Sequence, residues 1–147
     1  MKETYYKLPL NFGRFFEENG AQFEKCTELE SIDQHIELLL TTCPGEHRFD
    51  PDFGCRIWEL DFQVIASFKK WNDLFGQYVT EAIARYENRL TDLAVDIQLR
   101  EIVKEERANS SIAVRKRADI YVKALLVSTG EPVRLGYTLY LGPLSNE

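Results

Sequence analysis

The feature that most constrains this chain is a change of hydrophobic period between residues 83 and 93. Phe75, Val79, Ile83, Tyr86 and Leu90 recur at steps of four, four, three and four, the spacing of one helix face. Leu93, Val95, Ile97 and Leu99 recur at steps of two, the spacing of one strand face. A long helix must therefore end, and a sheet begin, around Leu90-Thr91-Asp92. Glu87 and Arg89 lie at that switch. Two apart in a helix, they point to different sides, so the spacing predicts that they do not pair and that each is free to meet another group. On periodicity alone they read as a solvated helix end, with Arg89 near the negative end of the helix dipole.

The rest of the chain arranges itself around this point. Ser31 reads as the N-cap of an earlier helix, with Gln34 completing a capping box and Ile32, Ile36, Leu39 and Leu40 forming a buried stripe. Thr41-Thr42-Cys43-Pro44-Gly45 ends it. Residues 45–54 are a loop by composition. Its phenylalanines, Phe49 and Phe53, are expected to plug into the core and give an ordered loop. The segment from Cys55 to Trp71 is ambiguous: Trp58, Phe62 and Ile65 fit a helix that lacks a clear cap. Asn72 is expected to cap the long helix. Downstream, strands are expected from Leu93 to about Val103, from about Ala118 to Val127 and from Val133 to Leu141, with Ser128–Glu131 as a hairpin turn. Ile120, Val122, Ala124 and Leu126 share one face of the second strand; Val133, Leu135, Tyr137, Leu139 and Leu141 share one face of the third. The polar connection from Glu105 to Arg117 is expected to be mobile. At the front, Pro9 biases Leu8 toward an extended backbone. Phe12, Phe15, Phe16 and Phe23 either cover a core edge or dock a partner. The pattern is that of one α+β domain over residues 1–147. It has an N-terminal extension (1–30), a mainly helical part (31–90) and a C-terminal antiparallel sheet of about three strands (91–141).

Composition narrows the function classes. A length of 147 residues suits one domain with a real core, and 29% charged and 44% hydrophobic residues are globular values. A formal net charge of −6 argues against sequence-independent nucleic-acid binding. The short basic cluster Arg115-Lys116-Arg117 reads as a solvated loop or strand start. No apolar run approaches the ~20 residues of a membrane span. Met1–Tyr6 is too polar for a signal peptide, and three cysteines without framework spacing fit free thiols in a reducing compartment, so a cytoplasmic location is expected. Cys26, His35, Cys43, His47 and Cys55 lack the close pairing of structural zinc sites, and neither a metal nor another cofactor is expected. His47 beside Asp50 offers a base and an orienting carboxylate, but no nucleophile is marked as activated. Carboxylate pairs for sugar hydrolysis can be assembled from Glu46, Asp50, Asp52, Glu59 and Asp61, yet 24 acids produce such pairs by chance. No glycine-rich phosphate loop is present. A short antiparallel sheet, by contrast, has edges that accept strands from other chains unless guarded.

Two stretches together resemble one family. Thr41 to Cys55 follows a pattern in which a threonine-rich helix end leads through a glycine and a basic residue into Phe-Asp-Pro-x-Phe-Gly, here carried by Gly45, Arg48, Phe49, Asp50, Pro51, Phe53 and Gly54. Arg85-Tyr86-Glu87-Asn88-Arg89-Leu90, followed by Leu93-Ala94-Val95-Asp96-Ile97, resembles a Glu-Pro-Arg motif and the strand after it. In this order the two are similar to the baseplate wedge proteins of contractile phage tails, a family that includes TssE of type VI secretion systems. The resemblance covers roughly residues 30–140.

The resemblance implies a structural, non-enzymatic subunit whose partners are other baseplate wedge proteins and the sheath protein, with no small-molecule substrate. It implies that Glu87, Asn88 and Arg89 contact the helical core bundle of the wedge. It also implies that the sheet, which is similar to a sheath domain, templates the first sheath ring by sharing strands. An arginine fork and a carboxylate suit such a contact, since they satisfy carboxylates, exposed carbonyls or a helix N-terminus. The chain departs from the family at Asn88, where the motif has proline. Asparagine tolerates a left-handed helix end, whereas proline fixes the backbone and removes an N–H. The "lysozyme-like" label carried by some members is not transferred, because no positioned acid and nucleophile are apparent. Charge reversal at Arg89 is expected to abolish co-assembly while leaving the monomer folded. The rival readings are a cell-wall muramidase and a stand-alone protein-binding adaptor on the same fold.

Overall fold

The computed structural model describes residues 3–10, 24–60, 68–106 and 111–141, with the backbone alone at 68, 101–106 and 111–115. Phe12, Phe15, Phe16, Phe23, Asp61, Phe62 and Ile65 lie outside these residues. Two short strands, β1 (Tyr5–Tyr6) and β2 (Lys25–Cys26), precede helix α1 (Glu28–Thr41). A 3₁₀ turn (Arg56–Glu59) leads toward helix α2 (Phe68–Tyr86), which is followed by β3 (Leu90–Glu106), β4 (Ser111–Leu126) and β5 (Pro132–Leu141). The last three strands form an antiparallel sheet in the order β3-β4-β5, and the whole is α+β.

Helix α1 starts one turn earlier than expected. Thr27 is the N-cap, its Oγ1 accepting from the Glu30 N–H at 3.1 Å. Thr27-Glu28-Leu29-Glu30 has the composition of a capping box, and Ser31 and Gln34 are left for other work. Ile32, Ile36, Leu39 and Leu40 are fully buried, as the stripe predicts. The Thr41 hydroxyl donates to Glu37 O at 2.8 Å and that of Thr42 to Leu38 O at 2.6 Å, satisfying carbonyls that a helix end leaves open. Gln34 instead clamps the N-terminal strand: it accepts from the Leu8 N–H at 2.7 Å and donates to Tyr6 O at 3.1 Å.

Helix α2 begins at Phe68, so Asn72 lies inside it and is not its cap. Trp71, Phe75, Val79, Ala82 and Ile83 form its buried face. The helix stops at Tyr86, four residues short of the expected end. Leu90, the last step of the helical pattern, is the first residue of β3. Leu90 and Leu93 nevertheless both face the core, which a plain strand forbids for residues three apart. A β-bulge between Thr91 and Ala94 inserts one extra residue, and Asp92 takes a left-handed conformation there (φ 53°).

The sheet register puts the predicted apolar faces together. Ile97 sits opposite Ile120, and Ile120 opposite Tyr137; Val95 sits opposite Val122, and Val122 opposite Leu135. Both helices cover this face. The first two strands are longer than expected: Arg100 pairs with Arg117 and the ladder runs out to Glu106 and Ser111, so most of the connection read as mobile is strand. Polar composition hid it: among the described residues β5 pairs with β4 no further than Leu141 opposite Lys116, and beyond that point β3 and β4 pair with each other. Two long-range bonds fasten α1 to the sheet: Tyr137 OH donates to Asp33 Oδ1 and Ser128 Oγ to Glu28 Oε2, both at 2.7 Å.

Candidate functional site

Because α2 ends at Tyr86, the chain turns at Asn88 and the in-helix geometry of Glu87 and Arg89 no longer applies. The Glu87 N–H makes the last helical bond, to Ile83 O at 2.8 Å. Its side chain then folds inward, where the residue is 2% exposed. Contrary to expectation, Arg89 pairs with it: Nε donates to Glu87 Oε1 at 2.7 Å and Nη2 to Oε2 at 2.8 Å, a bidentate fork. The Arg89 backbone N–H adds a third bond to Oε1 at 3.1 Å. His35 Nδ1, from α1, lies 2.8 Å from Oε2, which places its proton on Nδ1. Burial pushes the Glu87 pKa up, but the bonds from Arg89 and His35 outweigh it and hold the carboxyl at about 2.

Arg89 is occupied on its remaining sides. Nη1 donates to Ser31 Oγ at 2.9 Å, and the Tyr5 ring lies 5.0 Å from the guanidinium carbon. The residue at the apex, Asn88, is exposed. Its φ is not positive, so the left-handed conformation that asparagine tolerates is not used there; Asp92 adopts it instead. An open cleft of about 740 Å³ adjoins the turn, lined among others by Tyr5, Thr27, Glu28, Asn88, Arg89 and Val127.

The loop of residues 45–54 is welded to the same point. It closes on itself through Gly45 N–H to Pro51 O (2.7 Å), Asp50 N–H to His47 Nδ1 (3.1 Å) and Phe53 N–H to Asp50 O (3.1 Å). Gly54 (φ +134°) passes so close to the end of α1 that a Cβ there would lie 2.6 Å from Thr42 O, so only glycine fits. The Phe53 ring packs edge-on against Tyr86 at 5.1 Å and 6.0 Å from His35. Tyr86 OH reaches Asp50 Oδ1 at 3.4 Å, and Arg85 reaches Asp52 at 3.3 Å. Phe49 does not plug into the core. It is 88% exposed, at a bend beside Arg48 and His47. Only Phe53 faces the helices, and the turn between His47 and Asp50 aims Phe49 away.

The two stretches that looked separate in sequence are thus one unit, running Arg89–Glu87–His35–Phe53–Tyr86–Asp50. Sequence reasoning missed His35, Ser31, Tyr5 and Tyr86. A signal existed in α1: Ser31 and His35 are four apart and border the buried stripe, where polar side chains meet neighbouring elements.

The bonds of this unit fasten the turn, α1 and the loop to one another. His47 accepts the Asp50 backbone N–H, so the His–Asp dyad possible on paper is not formed. Glu59 pairs with Arg56 and Asp52 with Arg85. Among the described residues, Glu87 and Asp119 are the carboxylates whose pKa values clearly move, and both move down, opposite to what a general acid needs. Among the described residues no His, Cys, Asp or Glu cluster is arranged to hold a metal ion, and no helix is long and apolar enough to cross a membrane.

Residues 27–126 match the model of the family described as baseplate wedge protein gp25. The chain belongs to the baseplate wedge family. The matched span runs from the cap of α1 to the end of β4 and includes the whole Glu87 unit. Membership supports a structural role in a baseplate. Among solved structures, the chain is similar to a Geobacter sulfurreducens protein described provisionally as a tail lysozyme. The TM-score is 0.57 at 26% identity, over 82% of this chain and 96% of that one. It is also similar to a chain of the type VI secretion baseplate complex, with a TM-score of 0.47 at 14% identity, over 78% of this chain and 94% of that one. No curated protein sequence matches significantly.

Proposed function

We propose that this chain is a structural wedge subunit of a contractile injection machine, either a type VI secretion system or a phage-like tail. In this role the turn at Glu87-Asn88-Arg89 seats against the helical core of the wedge, and the sheet offers strand edges to the first sheath ring. The observation that carries the reading is the knot in which Arg89 and His35 hold the buried Glu87 carboxylate. It joins both family motifs and places Asn88 at the lip of a cleft. In the knot Arg89 is a brace and Asn88 the presented residue. Loop 45–54, with Gly45, Arg48, Phe49, Asp50, Pro51, Phe53 and Gly54, is the frame behind it. The sheet supports the second half of the proposal: β3 and β5 are its outer strands, and among the described residues neither is paired on its outer edge.

The test is affinity purification of the tagged chain from its native cells, beside an Asn88→Arg variant. Asn88→Arg keeps the knot and is expected to melt like the parent chain, yet to lose the other baseplate proteins and the sheath. Recovery of the same partners by a folded Asn88→Arg variant overturns the assignment of the turn. Recovery of one unrelated soluble partner favours the adaptor, and turnover of peptidoglycan by the purified chain favours the muramidase.

A further inference from the structure

The face of the sheet turned away from both helices breaks a rule of strand pairing. On an antiparallel sheet, side chains directly opposite on one face lie close enough that like charges destabilise the pair. Here Arg100 is opposite Arg117, and Lys123 is opposite Arg134, all on the outer face. A chain with 24 acidic and 18 basic residues did not need to place cations together. Asp119 relieves the first pair: it is 5% exposed, and it accepts from Arg117 at 3.1 Å and from Thr138 at 2.9 Å. Lys123 and Arg134 make no ion pair among the described residues.

Among the described side chains, the outer face of this sheet carries those four cations against Asp96 and Asp119, an excess of positive charge on a chain whose net charge is −6. Between the cations stand two exposed rings, Tyr121 (43%) and Tyr140 (58%). Tyrosine and arginine are the residues that most often anchor protein interfaces. The Lys123–Arg134 pair breaks the pairing rule with no ion pair to offset it among the described residues, and such a place is where function is expected.

We propose that the outer face of the β3-β4-β5 sheet docks a carboxylate-bearing surface of a partner protein, with Lys123 and Arg134 meeting its acids and Tyr121 and Tyr140 filling its hollows. Charge complementarity selects that occupant. A second copy of this face would repeat the same cations, and a chain of net charge −6 is poorly suited to a nucleic-acid backbone. This rests on the baseplate reading for the partner's identity, and the face is separate from the turn at Asn88.

Single reversals, Lys123→Glu and Arg134→Glu, separate stability from binding. Each converts a like pair into an opposite pair and is expected to raise the urea midpoint. Each is also expected to weaken association with the baseplate assembly, purified from cells lacking this chain, by about tenfold. Lys123→Glu/Arg134→Glu restores a like-charged pair, so its midpoint returns toward that of the parent chain while its affinity falls furthest. A raised midpoint with unchanged affinity, while Asn88→Arg still loses the assembly, overturns this proposal alone. Tighter binding of the reversals also overturns it, because the partner surface would then be cationic. So does a DNA duplex bound by the parent chain and released by the double variant. No association by the parent chain overturns the baseplate reading and this proposal together.

Discussion

Removing the guanidinium of Arg89 while keeping its bulk, as Arg89→Met does, leaves the Glu87 carboxylate buried with His35 and the backbone N–H of residue 89 as its remaining partners. Glu87 falls from an ordinary value of 4.5 to about 2 in the folded chain, and such a difference corresponds to roughly 3 kcal/mol of stability at neutral pH. Breaking a buried ion pair from one side costs about 3–5 kcal/mol, and the retained His35 contact places this variant near the lower end. For a domain of this size that lowers the melting temperature by about 10 °C. Charge reversal at Arg89 would cost more, which is why it is a poor test of binding alone. The pH dependence has a definite sign. A depressed carboxyl stabilises the fold above its unfolded value, and that contribution drains away as pH falls from 4.5 toward about 2. The parent chain and Arg89→Met should therefore differ most at neutral pH and converge in acid. Urea unfolding followed by Trp58 and Trp71 fluorescence, repeated down the pH scale, measures both. A variant within about 0.5 kcal/mol of the parent chain, the range of an ordinary surface substitution, refutes the knot as a stabilising element; so does a gap that stays constant in acid. Glu87→Gln combined with Arg89→Met should lose less than the two single changes summed.

Three further outcomes follow from the loop and the turn. Gly54→Ala forces a Cβ against Thr42 O at positive φ, and should cost about 2–4 kcal/mol in thermal unfolding. Phe53→Ala should lower stability by about 1–3 kcal/mol, while Phe49→Ala, at a ring already in solvent, should stay within about 0.5 kcal/mol; equal effects would contradict the opposite exposures of the two rings. Asn88→Pro restores the family residue where φ is not positive and where the N–H makes no hydrogen bond among the described residues. It should fold with a midpoint within about 1 kcal/mol of the parent chain in urea.

The parts of the fold written as repeating apolar positions were legible: the stripe from Ile32 to Leu40, the face from Phe75 to Ile83 and the alternation through β4 and β5. Boundaries were less so, for physical reasons that differ from place to place. Thr27 and Ser31 are both good caps, and the choice fell to the one whose hydroxyl was not needed by Arg89. Leu90 kept the helical count by accident of the bulge at Asp92. In the site, the motif was visible but its internal pairing was not. The rule that residues two apart do not meet belongs to helices, and no local signal fixed the last helical residue at Tyr86. His35 could not be assigned because its partner lies 52 positions away, a separation that only the folded chain closes.

The bonds that fasten α1 to the sheet also set an order of events during synthesis. Asp33 waits for Tyr137, 104 positions later, and Glu28 waits for Ser128, 100 positions later. At ribosomal speeds of about 5–20 residues per second, that interval is roughly 5–20 s. Throughout it, α1 has left the ribosome with Ile32, Ile36, Leu39 and Leu40 lacking the sheet that will cover them. Of the described helices, α1 is made first, and after the turn at Glu87 and Arg89 has gripped His35 and Ser31 its cover is completed only when β5 arrives.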